Sequence, residues 1–302
     1  MGTTARGPRE RVARVNGVSL HAREWLPAEE SDSSGRLPVL LLHGLASASR
    51  IWDLVAPGLA QHRHVVALDQ RGHGRSEKPD DGYDFATIVS DDLLACDALG
   101  LGGRFHVAGH SWGGNVAVEL AAAHPDRIAT LTLVDGGFGM LRQRPGATWE
   151  TISRELAPPD FAGTPRDAFL ARVRAGNPMW RPELDDILLN IVELRADDTV
   201  GPRLARANHM KILRAMWDED ADTIYPANRC PTLFILAQPA GTDSRGAQFL
   251  VHKRRGVEMA RLLMSQSPSV EVVWMPDTIH DIPLQRPDEL VRQIADFVGG
   301  AE

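Results

Sequence analysis

Phe105-His106-Val107-Ala108-Gly109-His110-Ser111-Trp112-Gly113-Gly114 is an apolar run that breaks abruptly into glycines around one serine. The run before Gly109 reads as a strand, and Val116–Ala123 repeats apolar residues at three and four, as a helix does. A serine at so tight a strand-to-helix turn takes a strained backbone. Side chains two residues before and after it would collide, so Gly109 and Gly113 are required. The turn lifts the Ser111 hydroxyl off the sheet and points the first amides of the helix toward it. An oxyanion forming beside Ser111 would meet the Trp112 N–H and the positive end of the helix dipole.

The same alternation extends on both sides. Arg11–Val15 and Val18–Glu24 are alternating runs joined at Asn16-Gly17, a hairpin signal because both residues tolerate positive φ. Pro38–Leu42, His64–Leu68, Phe105–Ala108 and Leu131–Val134 are apolar on both faces, as parallel strands covered by helices on each side must be. Helical periods fall between them at Ile51–Leu59 and Phe85–Leu99. This order predicts a doubly wound α/β sheet. The alternation stops after Asp135. Residues 137 to 229 offer no convincing strand but four helical stretches, Thr148–Leu156, Arg166–Arg174, Glu183–Leu194 and Leu204–Met216, with prolines between them. They read as an inserted helical cap on a core made of residues 1–136 and 230–302. The core pattern resumes with strand Thr232–Ala237, helix Val257–Ser265, strand Val270–Trp274 and helix Pro287–Phe297.

Composition narrows the function. The 302 residues are 43% hydrophobic and 24% charged, with a formal net charge of −7. That is globular composition, and the negative balance argues against a nucleic-acid partner. Apolar runs are too short to cross a bilayer, and the first ten residues lack the apolar stretch of a secretory signal. Cys96 and Cys230 form neither a disulfide framework nor a ligand-spaced cluster. A cytoplasmic protein, monomer or homodimer, with both thiols buried, is expected.

The chain from about residue 10 to its end resembles the α/β-hydrolase superfamily, in particular its capped esterase, lactonase and C–C-bond hydrolase branch. Besides the serine turn, the resemblance rests on Leu41-Leu42-His43-Gly44-Leu45, on Asp69-Gln70-Arg71-Gly72-His73-Gly74-Arg75-Ser76, and on the stretch Thr278-Ile279-His280 to Pro287 after the last strand. It implies an eight-stranded, mostly parallel sheet. It also implies Ser111 as nucleophile, His280 as base and acid, and the Leu45 amide as second oxyanion donor beside that of Trp112. His73 belongs to a turn that is usually structural, and His43 is expected to hold a loop. Members of the fold that open epoxides or remove halide use aspartate where Ser111 stands, so acyl transfer is implied.

The orienting acid stays open. The usual position after the strand that follows the cap falls near Ala240, which cannot serve. Asp243 lies three residues later. Asp135 ends the strand before the cap, one helix and one strand beyond Ser111, and so returns to the same sheet edge; a turn aspartate bonded to the Gly136 and Gly137 amides is the bland alternative. Asp281 follows His280 too closely to reach its ring well. In the cap, most bulky residues must pack the inserted layer, but Met140, Trp149, Met179, Trp180 and Trp217 are candidates to line an apolar pocket. The expected activity is hydrolysis of a small apolar carboxylic ester or lactone, with no cofactor and no metal. C–C-bond hydrolysis or perhydrolysis with the same groups is the alternative, and a non-catalytic ligand receptor is the competing class.

Overall fold

The computed structural model describes residues 7–27, 35–138, 140–177, 179–241 and 244–302. Strands β1 (Arg9–Val15) and β2 (Val18–Trp25) form the hairpin that Asn16-Gly17 dictates, with φ of 46° and 77° at the two turn residues. Then follow β3 (Val39–Leu42), a 3₁₀ turn at Ser49–Trp52 and the one-turn helix α1 (Ala56–Leu59). Next come β4 (Val65–Leu68), α2 (Phe85–Ala98), β5 (Phe105–His110), α3 (Trp112–Ala123) and β6 (Ile128–Val134). The helical period read over Ile51–Leu59 is thus divided between two short turns, because Pro57 cannot continue a helix begun before it.

Helices α4 (Trp149–Glu155), α5 (Arg166–Gly176), α6 (Glu183–Ile191), α7 (Arg206–Asp218) and α8 (Ala221–Ala227) fill the inserted stretch. It is not free of strands. β7 (Thr164–Pro165), β8 (Glu193–Leu194) and β9 (Thr199–Gly201) make a small antiparallel sheet in the order β7-β9-β8. Two or three residues per strand are too few for a period of two to register. Glu193 and Leu194, read as the end of a helix, form one of them.

The core ends with β10 (Thr232–Gln238), α9 (Ser244–Leu263), β11 (Val270–Pro276), α10 (Ile282–Gln285) and α11 (Pro287–Gly300). The eight-stranded sheet has the order β1-β2-β4-β3-β5-β6-β10-β11, parallel from β4 to β11. Its two faces divide the strand residues by alternation. Leu40, Leu42, Val66, Leu68, Val107, Leu133 and Phe234 pack under α2, α3 and α9; Val39, Leu41, Val65, Ala67, Val134 and Ile235 pack under α1 and α11. Burying each of these side chains other than that of Ala67 stabilises by about 1.5–3 kcal/mol. The inserted stretch is seated through Leu184, Ile187 and Ile191 of α6, which join the second face beside Ile51 and Trp52. Both cysteines are buried and unbridged, and burial pushes the Cys230 thiol up to about 12. Among the described residues no helix is long and apolar enough to cross a membrane.

Candidate active site

Strands β3, β5, β6 and β11 end at one edge of the sheet, and the backbone there is strained. Six described non-glycine residues have positive φ. Four of them follow these strands: Ala46 (59°), Ser111 (54°), Asp135 (46°) and Asp277 (53°). Such conformations persist only where the surroundings impose them, and they collect at functional sites. Ser111, with φ 54° and ψ −123°, occupies the turn between β5 and α3. Its N–H donates to the Val134 carbonyl (3.0 Å) and its carbonyl accepts from the Gly114 N–H (2.9 Å). A Cβ at Gly109 would lie 2.1 Å from the Gly113 carbonyl oxygen, and one at Gly113 would lie 2.5 Å from that of Leu42. Backbone cannot yield to such contacts, so both glycines are obligatory.

The loop after β3 lies alongside. A Cβ at Gly44 would come 3.0 Å from the Ser111 Cβ. His43 holds this loop as expected. Its Nδ1 donates to the Gly44 carbonyl (2.8 Å) and its Nε2 accepts from the Gln70 N–H (3.1 Å). Neither the Leu45 nor the Trp112 N–H donates to an acceptor among the described residues. The Asp69 turn is structural. Asp69 Oδ1 accepts from the Ser49 N–H (2.6 Å), and Oδ2 from the Arg75 N–H and His21 Nδ1 (both 2.8 Å). His73 is buried and stacks on Trp112, with ring centroids 5.1 Å apart.

His280 stands on the loop between β11 and α10. Its Nδ1 donates to Asp135 Oδ2 over 2.7 Å. Its side chain keeps 53% of its surface open, whereas that of Asp135 keeps 1%. Crowding of the imidazole disfavours its charged form, but the hydrogen bond and charge of Asp135 prevail and hold its pKa above the usual 6.5. Burial likewise opposes the charge on Asp135, and there too the partners prevail, so its pKa lies below the usual carboxylate value. His110 packs its ring 4.8 Å from that of His280, and its Nε2 donates to the His280 carbonyl (3.0 Å). Burial first, and the neighbouring His280 second, lower His110 to about 4. His280 is thereby held against the residue before Ser111. No hydrogen bond joins the Ser111 hydroxyl to His280 among the described residues.

Of the three acids weighed, Asp135 is the one bonded to His280. Asp281 begins α10, its carbonyl accepting from the Leu284 and Gln285 amides, and Asp243 lies outside the described residues. The Gly136 and Gly137 amides do not take the Asp135 carboxylate. Its Oδ1 accepts instead from the Ala237 N–H (2.9 Å) and from Lys253 Nζ (2.7 Å). Lys253, on α9, carries no sequence signal of its own. It stands upstream of the part of α9 that periodicity reveals, in a helix that also exposes Phe249, Val251, Met259 and Leu262.

The cap candidates separate. Trp149 and Trp217 pack against each other (centroids 6.2 Å) beside Leu141, Ile152 and Leu213, with Arg214 and Arg142 over their rings. Trp180 lies beside the second core face, and Met179 is 39% exposed. Met140 is buried, and with Phe138, Arg144, Phe249 and Met259 it lines a cavity of about 310 Å³ against α9. A larger cavity, about 530 Å³, opens between α2, α3 and α7, lined by Asp84, Glu119, Lys211, Arg214 and Glu219. Glu219 Oε2 accepts from Asn115 (2.8 Å), and its other oxygen is buried without a partner. Burial, and secondarily the charge of Glu119, raises Glu219 to about 8.

A family profile described as alpha/beta hydrolase fold matches residues 38–180. The chain is 31% identical over 209 residues to a protein named "Putative carbamate hydrolase RutD" from Caulobacter sp. (strain K31), covering 67% of this chain and 72% of that one. It is 34% identical over 124 residues to a non-heme chloroperoxidase from Streptomyces lividans, covering 41% of this chain and 43% of the relative. In several curated relatives the match spans only 35–43% of their length. Among solved structures, the enol-lactonase from Burkholderia xenovorans LB400 superposes with a TM-score of 0.65 at 23% identity, over 96% of this chain and 100% of that one. Sheet order, strained serine turn and sequence relationship agree, and the chain belongs to the alpha/beta hydrolase fold family.

Proposed function

We propose that this protein is a serine hydrolase of a small carboxylic ester or lactone, with Ser111 as nucleophile, His280 as base and acid, and Asp135 as orienting acid. The observation that carries the reading is the 2.7 Å bond from His280 Nδ1 to Asp135, made beside a serine in a left-handed backbone conformation. With Nδ1–H committed to the carboxylate, Nε2 is free to accept the Ser111 proton as Oγ attacks the acyl carbon. The negative oxygen is received by the Leu45 amide in the loop after β3 and the Trp112 amide at the start of α3. His280 then protonates the departing alcohol. It next deprotonates water, which releases the acid and restores Ser111. Residues 137–229 act as the cap that excludes bulk water. Met140, Trp149, Met179, Trp180 and Trp217 remain the candidates for its apolar lining.

Fluorophosphonate labelling and a panel of p-nitrophenyl esters, lactones and diketones test the reading. Ser111→Ala keeps its fold and loses turnover and label; turnover equal to that of the unaltered protein refutes the mechanism. An unaltered protein that never takes the label is instead a receptor. Because kcat/KM needs neutral His280, it rises with pH along a limb centred above 6.5. A second reading, with hydrogen peroxide in place of water at the acyl-enzyme, is favoured by the likeness to a chloroperoxidase. Bromide oxidation in acetate and peroxide tests it.

A further inference from the structure

Asp135 faces two basic groups. Lys253 Nζ donates to its Oδ1 over 2.7 Å and to the Ala237 carbonyl over 2.8 Å, and the lysine side chain is 2% exposed. The Phe249 ring lies 5.4 Å from the same nitrogen. Placing an ammonium in so enclosed a position is unfavourable unless a partner compensates, and the carboxylate of the proposed triad is that partner. A carboxylate with its second oxygen on a cation and a backbone amide cannot rotate, so Oδ2 stays aimed at His280. The cation and the imidazole are bonded to different oxygens of one carboxylate, at 2.7 Å each, so they lie within about 8 Å of each other.

We propose that Lys253 is a positioning residue of this site, fixing the Asp135 carboxylate and opposing the positive charge that His280 acquires in each turnover. The proposal rests on the hydrolase reading above. Among the described residues four titratable groups act on His280. Asp135 comes from the end of β6, His110 from the end of β5, Lys253 from α9 and Asp281 from its own loop. His110 remains neutral at working pH, so Lys253 is the cation that opposes protonation of His280. The ammonium lowers the His280 midpoint through space, and by Coulomb's law over at most about 8 Å, with an effective dielectric of about 20 and solvent at the half-open ring, the effect is on the order of one pH unit.

The test is the titration of His280 in the full chain, read by NMR of labelled histidine and assigned with His280→Gln. In Lys253→Met the midpoint moves up by about one unit, and where esters are turned over the acidic limb of kcat/KM moves with it. Lys253→Arg, which keeps the charge, leaves the midpoint in place. A purely structural lysine would lower the rate at every pH and leave the midpoint unmoved, which overturns the proposal. If Lys253→Met does not fold by circular dichroism, Lys253→Gln carries the same measurement. Failure of both to fold makes the lysine a requirement of the core and also overturns the proposal. The titration reads His280 whether or not Ser111 is reactive. Failure of fluorophosphonate labelling therefore refutes the hydrolase reading separately.

Discussion

Replacing Asp135 by asparagine separates what this carboxylate does for stability from what it does for chemistry. It accepts three short hydrogen bonds, from His280, Lys253 and the Ala237 amide, at 2.7, 2.7 and 2.9 Å. An amide oxygen can continue to accept from Lys253 and Ala237, but its NH₂ then faces His280. That forces the proton onto Nε2, the tautomer that cannot take a proton from Ser111, and a loss on the order of 10⁴ in kcat follows. The cost to folding comes from the other side. The Lys253 ammonium is left enclosed without a counter-charge, which costs about 3–5 kcal/mol, a large part of a typical stability of about 5–15. Lys253→Met in the same chain removes the stranded charge, and the double variant recovers to within about 2 kcal/mol of the unaltered protein while remaining inactive. Urea melts at pH 7 and initial rates on p-nitrophenyl butyrate measure the two effects. A single variant within about 1 kcal/mol of the parent, or a double variant no more stable than the single, refutes the account of the buried pair. A rate within tenfold of the parent refutes the role of the acid.

Gly109→Ala places a methyl 2.1 Å from the Gly113 carbonyl oxygen, so β5 and α3 must part; a loss above about 3 kcal/mol and no fluorophosphonate label are expected, and normal labelling would contradict the turn geometry. Glu219, raised to about 8 by burial, is held neutral in the folded protein. A raised carboxyl pKa gives stability that is full below the unfolded value near 4.5 and lost as pH rises through about 8. Glu219→Gln is therefore more stable than the parent at pH 9, and its denaturation midpoint changes less between pH 5 and 9; parallel curves for the two proteins would remove this group as the cause.

The parts legible in the sequence are those fixed by short-range rules. Asn16-Gly17 determines its turn because few other residues accept two positive φ values in succession. The β5–Ser111–α3 junction is legible because Gly109 and Gly113 answer a steric demand that the sequence states directly. The pairing of Asp135 with His280 was open, since it depends on which of several strand ends the imidazole loop meets. Lys253 was invisible for a related reason. Its partner is 118 residues away, and an isolated lysine in a helix reads as a solvated charge unless its burial is known. The short strands β7, β8 and β9 were lost because their pairing is set by neighbours and not by their own pattern.

His110 pairs with Val134 in the last rung of the β5–β6 ladder, and Ser111 and Asp135 are the residues that follow immediately on those two strands, with the Ser111 N–H bonded to the Val134 carbonyl. Their spacing is therefore fixed by peptide hydrogen bonds deep in the sheet, whereas His280 arrives on a loop tethered at its own carbonyl and ring. Two of the three groups of the proposed triad form a rigid jaw and the third a hinged one. On warming, catalytic competence should fade through swinging of that single arm, at temperatures where the sheet beneath is still intact.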